Sequence, residues 1–329
     1  MNSLPRIQVF ALGGTIAMMP ASTSSSGGQG MVPSLDAAAL ISAVPSLTEI
    51  AEIRAESLAQ IGSANLSFCQ IQNVCERAEA GPAHGFVVTQ GTDTLEETAF
   101  LASLLYHGDN PLVFTGAMRT PDQLSADGPL NLFNAVLAAS GLEGGVYVVM
   151  NGDIHDPWHV SKGHTSDVSS FTSGEIGPVG YMVEGAMHLR GHEQLAPLEP
   201  LRGGMPRPVA LLQAGLGADT ALLSQVVAAG YEGLVLEAFG AGHLSEDWAD
   251  AAAEIAQDIP VILSSRCPNG TVFEGTYGYR GAEMDLIGRG LVPSGQIKSR
   301  KARLLLSVLL ADKSRNWKQR FTEIKDRLS

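Results

Sequence analysis

Ile7-Gln8-Val9-Phe10-Ala11-Leu12-Gly13-Gly14-Thr15-Ile16 is the stretch on which the fold turns. A short apolar run stops at two glycines and hands over to a threonine. In an α/β protein this pattern predicts a first buried strand that carries a hydroxyl to the carboxyl edge of a parallel sheet. Ligands bind at that edge, in crevices where the strand order reverses. Two glycines let the backbone turn sharply and come close to a ligand. Thr15 is therefore the first candidate nucleophile.

A Ser/Gly-rich tract runs from Met18 to Gly30 without periodicity. Beside a catalytic turn it reads as a mobile lid with glycine hinges. Leu35 to Val44 patterns as a helix. Gly85-Phe86-Val87-Val88-Thr89 is a second buried strand, followed by the turn Gln90-Gly91-Thr92-Asp93-Thr94 and a helix from Leu95 to Leu105. A strand from Pro111 to Gly116, a helix from Gly128 to Ala139 and a strand from Gly145 to Met150 continue the alternation. Short apolar runs alternating with amphipathic helices are the mark of βαβ units and a parallel sheet.

Between His188 and Pro208 prolines and glycines cluster and the periodicity ends, which places an interdomain linker at 191–208. Alternation resumes with the strand Val209 to Gln213, the helix Asp219 to Ala229 and the strand Gly233 to Glu237. The helix Ser245 to Gln257 and the strand Pro260 to Ser264 follow. A terminal helix runs from Ser299 to Leu328 with a break near Ser314. The expected architecture is two α/β domains, a larger one over 1–190 and a smaller one over 209–329.

Composition narrows the partners. A formal charge of −13 over 329 residues argues against nucleic acid and anionic membranes, both of which need a basic surface. Three irregularly spaced cysteines, Cys69, Cys75 and Cys267, fit no disulfide framework or zinc pattern and read as reduced, buried thiols. The opening Met1-Asn2-Ser3-Leu4-Pro5-Arg6 lacks the charged and apolar regions of a signal peptide, so a cytoplasmic protein is expected. No apolar run is long enough to span a bilayer.

Two turns share one design. Gly13-Gly14-Thr15 and Gln90-Gly91-Thr92-Asp93 each follow a buried strand and each present a threonine. For the second, Thr94-Leu95-Glu96-Glu97 also reads as a capping box, so helix initiation competes with catalysis as its explanation. A dinucleotide site is disfavoured, because neither Gly13 nor Gly215-Leu216-Gly217 continues into G-x-G-x-x-G. His155-Asp156-Pro157-Trp158-His159 hints at a metal, but Pro157 opposes the helix that would align the two histidines. No G-x-S-x-G nucleophile elbow occurs.

Taken together, Ala11-Leu12-Gly13-Gly14-Thr15-Ile16 and Thr89-Gln90-Gly91-Thr92-Asp93-Thr94-Leu95-Glu96-Glu97-Thr98 resemble the two signature turns of the bacterial-type L-asparaginases. Further blocks agree in order: Ile61-Gly62-Ser63, Thr115-Gly116-Ala117-Met118-Arg119 and Ser125-Ala126-Asp127-Gly128-Pro129-Leu130-Asn131. Val149-Met150-Asn151, Ser264-Ser265-Arg266 and Lys301-Ala302-Arg303 extend the resemblance over essentially the whole chain. It implies an amidohydrolase that releases ammonia from asparagine and, to varying degrees, glutamine, with no metal or organic cofactor. It also implies an N-terminal catalytic domain, a smaller C-terminal domain and a homotetramer built as a dimer of dimers.

Carried over by position, the resemblance makes Thr15 the nucleophile and Thr92, Asp93 and Lys162 a second Thr–Lys–Asp group. Gly14 and Gly91 then line the substrate with Thr92, while Ser63 and Asp93 hold its α-carboxylate and α-amino group. Counting back from Lys301-Ala302-Arg303, Glu283 becomes the acidic residue that a neighbouring copy of the chain contributes. The chemistry suits these side chains. A threonine hydroxyl needs a base, a lysine whose pKa burial lowers can act as one, and amides after glycine turns can stabilise the tetrahedral oxyanion.

The chain also departs from that family's pattern. No tyrosine occurs between Thr15 and Ser63, where one commonly helps activate the first threonine. Ala64 stands where glutamine or glutamate is usual, Gln90 where histidine is common, and His243 in place of a usual Gly-Asn stretch. These departures keep two rival readings in play. One is a non-catalytic amino-acid sensor; the other is the amidase part of an amidotransferase, for whose extra N-terminal module the sequence shows no room.

Overall fold

The computed structural model describes residues 3–20, 30–191, 205–313 and 315–328. They fall into two compact units, Met1–Pro197 and Leu198–Ser329. In the first, β1 (Arg6–Gly13), β2 (Glu52–Ile61), β3 (Gly85–Thr89), β4 (Pro111–Thr115) and β5 (Gly145–Met150) run parallel in the order β5-β4-β3-β1-β2. Three short strands, β6 (Asp153–His155), β7 (Gly180–Val183) and β8 (Ala186–Leu189), extend the β5 edge with antiparallel pairing. The chain leaves β1 towards β2 on one side and returns to β3 on the other. Strand order therefore reverses between β1 and β3, and a crevice opens at their carboxyl ends.

The alternation of side chains explains the layers. Ile7, Val9 and Ala11 of β1 join Val87 and Val113 in a core shared with Leu132 and Ala135 of the helix Gly128–Gly141. On the opposite face Phe10 stacks on Phe86 with ring centroids 6.1 Å apart. All five residues of β3 and all five of β4 are buried, as expected of central parallel strands covered on both faces. A Cβ on Gly85 would lie 2.1 Å from the Ala139 carbonyl oxygen of that helix. Gly85→Ala is therefore expected to cost about 1–3 kcal/mol by overpacking, read as a lower urea midpoint with an unchanged slope.

The second unit is a four-stranded parallel sheet of β9 (Val209–Gln213), β10 (Gly233–Ala238), β11 (Val261–Ser265) and β12 (Val292–Pro293) in sequence order. Leu234, Leu236 and Leu263 form its core with Trp248 of the helix Glu246–Asp258. The terminal segment forms two helices, Ser299–Ala311 and Trp317–Arg327, the second capped by the Asn316 side chain, which accepts from the Lys318 and Gln319 amides. Ser314, the site of the expected break, lies outside the described residues, between these two helices.

Several expectations need correction. The helix expected over Asp219 to Ala229 is only a single 3-10 turn, Leu223–Gln225. Leu223 and Val226 are buried while Leu222 and Val227 face solvent, which is too narrow an apolar stripe for three turns of helix. The texture change assigned to His188 onward begins too early, because His188 and Leu189 belong to β8. Their largely exposed hairpin carries no apolar alternation to mark it. Most of the expected linker, 192–204, lies outside the described residues, as does 21–29 of the expected lid. What is described of that tract is its base, where Met18–Pro20 pairs antiparallel with Met31–Pro33.

The thiols also differ from expectation. Cys75 is buried, and that burial, with Glu79 and Glu76 nearby, pushes its pKa well up. Cys69 and Cys267 are exposed. Among the described residues no helix is long and apolar enough to cross a membrane.

Candidate active site

Both threonine turns sit at the strand-order reversal. Beyond β1, Gly13 and Gly14 take φ of +102° and +84°, which only glycine adopts without strain, and Thr15–Ala17 forms a 3-10 turn. Beyond β3, Thr92–Thr94 forms another, followed directly by the helix Leu95–Leu105. The turns meet backbone to backbone: a Cβ on Gly14 would lie 2.0 Å from the Gly91 amide nitrogen. A third turn, Ser63–Asn65, closes on the same point. A Cβ on Gly91 would lie 2.8 Å from Ser63 Oγ, and the Gly14 amide donates to the Ile61 carbonyl at 3.1 Å. Glycine at 13, 14 and 91 is thus what lets three turns share one crevice.

Lys162 enters this crevice from a two-residue strand, Ser161–Lys162, paired with Phe171–Thr172. Its Nζ donates to Thr92 Oγ1 at 2.9 Å and to Asp93 Oδ1 at 2.7 Å. The lysine side chain is 16% exposed and the aspartate side chain 73%. Nζ therefore meets the threonine in a sheltered position, while the carboxylate reaches towards solvent. Glu96 is buried, and its Oε2 accepts the Lys162 amide at 2.6 Å, which fixes the backbone that aims the ammonium.

Thr94 corrects one expectation. It occupies the N-cap of the following helix, but its hydroxyl makes no capping bond and donates instead to the Ser63 carbonyl at 3.0 Å. The capping-box reading fails because Thr94 has φ −115° and ψ 11°, not the extended N-cap backbone that aims a hydroxyl oxygen at the first amides of a helix. The consequence is a tie between the second and third turns. Ser63 Oγ is itself buried with no hydrogen-bond partner among the described residues, a donor left for a ligand.

The other resembling blocks form the support beneath these turns. Asp127 accepts the Met118 and Arg119 amides, at 2.9 Å in each case from the nearer oxygen. Asn131 donates to the Gly116 carbonyl and accepts from the Asn151 amide. Gln90, where histidine is common, is buried; its Oε1 accepts from Thr98 and its Nε2 donates to the Gly91 carbonyl. Glu96 and Gln90 are the site-shaping residues that pattern reading passed over as roles. A buried charge in the first turn of an apolar helix was the available signal for Glu96.

The structure brings Gly14, Ser63, Gly91, Thr92, Asp93 and Lys162 together, with Thr15 on the turn that contacts Gly91. Among the described residues no side chain hydrogen-bonds to the Thr15 hydroxyl. Glu283 belongs to the second unit and is fully buried there. Its Oε1 accepts the Thr276 and Tyr277 amides at 2.8 and 2.6 Å, and its Oε2 lies 3.0 Å from His243 Nε2. Burial opposes its charge, but the backbone donors and His243 outweigh burial and hold its pKa below the ordinary value.

That shift has a testable sign. The stability Glu283 contributes is fully present above the unfolded carboxylate value of about 4.5 and is lost as pH falls through its depressed folded value. The stability gap between the parent protein and Glu283→Gln should therefore be largest at pH 7 and close as pH falls below about 4.5, measured by urea unfolding. A gap that widened on acidification would contradict this.

In the His155 to His159 stretch two of the candidate ligands are engaged with protein groups. His155 Nδ1 pairs with Ser173 Oγ at 2.9 Å, and Asp156 accepts the Trp158 amide at 2.6 Å. Among the described residues no group of three His, Cys, Asp or Glu side chains is placed to hold an ion. A cavity of about 420 Å³ lies at the amino ends of β1 and β2, lined by Arg6, Phe10, Arg54 and Phe86 among others. Neither Lys162 nor any residue of the three turns lines it.

Comparison with known proteins agrees with this geometry. Residues 6–195 match the family model for the N-terminal domain of asparaginase, and residues 208–320 match the glutaminase/asparaginase C-terminal domain. The chain is 34% identical over 324 residues to L-asparaginase 2 of Escherichia coli, covering 94% of this chain and 89% of that one. It is 34% identical over 319 residues to the probable periplasmic L-asparaginase of Haemophilus influenzae, covering 93% and 89%. It is also 32% identical over 317 residues to one component of the glutamyl-tRNA(Gln) amidotransferase of Methanosarcina acetivorans, covering 90% and 71%. With matched models over both units and two facing threonine turns, the chain belongs to the asparaginase family.

Proposed function

We propose that the protein is an L-asparaginase, hydrolysing the side-chain amide of L-asparagine to L-aspartate and ammonia through an acyl-threonine intermediate on Thr15, with glutaminase side activity. The observation that carries this reading is Lys162 Nζ held between Thr92 Oγ1 and Asp93 Oδ1 beside the Gly14–Gly91 contact. It supplies a hydroxyl, a base and a carboxylate within hydrogen-bond reach of one another, next to a second hydroxyl. In this reading Thr15 Oγ attacks the amide carbon. The first amides of the two 3-10 turns, which lack acceptors within their own turns, stabilise the oxyanion. Thr92 and Lys162 carry the proton of Thr15 Oγ to the nitrogen that leaves as ammonia, and then carry a proton from the water that cleaves the ester back to Thr15 Oγ. Ser63 Oγ, buried and without a partner among the described residues, donates to the substrate α-carboxylate, and the exposed carboxylate of Asp93 receives the α-ammonium.

The same proposal has a homotetramer of two dimers, in which a neighbouring copy's C-terminal unit adds Glu283 to the site, and a cytoplasmic setting supported by three cysteines outside any disulfide. The test is ammonia release from L-asparagine, L-glutamine and their D-isomers, with light scattering on the same sample. L-Asparagine is expected to be turned over fastest, by a species of four chains. Binding without ammonia release would favour a sensor, turnover of glutamine alone would favour an amidotransferase part, and a fully active monomer would contradict the shared site.

A further inference from the structure

The cavity of about 420 Å³ at the amino ends of β1 and β2 lies at the opposite end of the sheet from the threonine turns. Strand register places it. Ile7, Val9 and Ala11 of β1 point into the core, so Arg6, Gln8 and Phe10 point to the other face. On that face Arg6 lies beside Glu52, Gln8 beside Arg54 and Phe10 beside Glu56. The helix Phe68–Ala80 covers part of the face, and the chain then leaves it through Gly81, Pro82 and Ala83. Gly81 passes so close over Phe86 that a Cβ there would lie 2.8 Å from the ring. The edge strand β2 has no buried residue, so beyond the helix the face stays open.

The lining joins an apolar floor to a basic rim. Phe10 and Phe86, 3% and 1% exposed, close the floor. At the rim Arg77 donates from Nη1 to Glu56 Oε1 at 2.7 Å and from Nε to Asn73 Oδ1 at 3.2 Å. Arg6 and Arg54 differ: among the described residues their guanidiniums have no hydrogen-bond or ion-pair partner. Glu52 alone is left to set against these two cations. The cavity is thus net positive in a chain whose formal charge is −13. A local excess of cation above an apolar floor selects anions that also carry apolar surface.

We propose that this cavity is a second ligand site, which takes a small organic carboxylate with an apolar, ring-sized body. The carboxylate pairs with Arg54 and Arg6, whose guanidiniums offer forked donors to its two oxygens. The body lies over Phe10 and Phe86, between Ala83 and the aliphatic stem of Arg77. An inorganic anion would leave the apolar floor wet, and an uncharged ring would leave both guanidiniums unpaired. Only a molecule with both parts matches the whole lining. The volume falls within the about 300–1,000 Å³ of small-molecule sites. Every lining residue belongs to the first unit, and the proposal does not depend on the amidase reading.

Anilinonaphthalene sulfonate, an amphiphilic anion that fluoresces on leaving water, is the probe for the full-length protein. Naphthoate and naphthylmethanol are its competitors, alike in ring and different in charge. The folded protein is expected to bind the probe saturably, and naphthoate should displace it about tenfold more readily than naphthylmethanol does. Arg54→Gln should weaken probe binding about tenfold by removing a charge-assisted contact. Ala83→Trp should abolish binding by filling the cavity, while keeping the Ala83 carbonyl that accepts from Asn110 Nδ2. Arg327→Gln makes the same charge change on the exposed side of the last helix and should bind like the parent. Urea midpoints show that each variant is folded; Arg54→Gln alters an exposed side chain and decides the case if Ala83→Trp does not fold. Absence of saturable binding, equal displacement by the two competitors, or an affinity unchanged in Arg54→Gln would overturn the proposal.

Discussion

Lys162→Met is expected to lower kcat for L-asparagine by about 10²–10⁴-fold while changing KM only a few-fold. Methionine preserves the length and apolar stem of the side chain, so packing at this sheltered position is retained. What is lost is the one nitrogen that lies within 2.9 Å of Thr92 Oγ1 and 2.7 Å of Asp93 Oδ1. The backbone tie to Glu96 is untouched by the change, because it uses the Lys162 amide. Thr92→Val should produce a similar loss by removing the hydroxyl at the other end of the same bond. The double variant should be little worse than either single one, since groups acting as a unit lose their function together. Initial rates of ammonia release give all three numbers. Losses that multiplied would show that Lys162 and Thr92 act separately.

Gly14→Ala carries the largest structural effect. The residue has φ +84°, and its Cβ would lie 2.0 Å from the Gly91 nitrogen and 2.2 Å from Gly91 Cα. Both neighbours are backbone of a buried turn, so no side chain can swing aside to make room. The crossing must open, which moves the Thr15 turn away from the Thr92 turn. A loss of about 3 kcal/mol or more in urea unfolding is expected, together with loss of measurable amidase turnover. Gly62→Ala is the matched control, because open space surrounds that position and its φ of −67° suits alanine. Equal stability of the two variants would contradict the packing argument.

Much of this arrangement was legible in the sequence because the crevice is built by backbone. Gly13-Gly14-Thr15 and Gly91-Thr92-Asp93 announce strand ends with glycines at the points of closest approach, and the structure puts those glycines against each other. Central strands such as Gly85–Thr89 were legible because both faces are buried and every residue is apolar or small. The edge strand Glu52–Ile61 was not, because none of its residues is buried and Glu52, Arg54 and Glu56 interrupt any apolar run. The contact that joins Lys162 to Thr92 spans 70 positions, and no local pattern carries it. Thr94 shows the opposite failure. Its capping signature is genuine locally, but the preceding 3-10 turn leaves its backbone out of the extended N-cap conformation, and its hydroxyl donates across to the Ser63 carbonyl. His243 was visible only as a departure, since its meaning depends on a carboxylate 40 positions away.

The proton of Thr15 is the point on which the chemistry rests, since no described side chain hydrogen-bonds to that hydroxyl while Lys162 attends the other threonine. Acid-quenching the protein during turnover of L-asparagine and mapping the covalent adduct by peptide mass spectrometry tests the assignment directly. An aspartyl ester on the peptide carrying Thr15, absent from Thr15→Ala, is the predicted result. An ester on Thr92, with full turnover retained by Thr15→Ala, would contradict it.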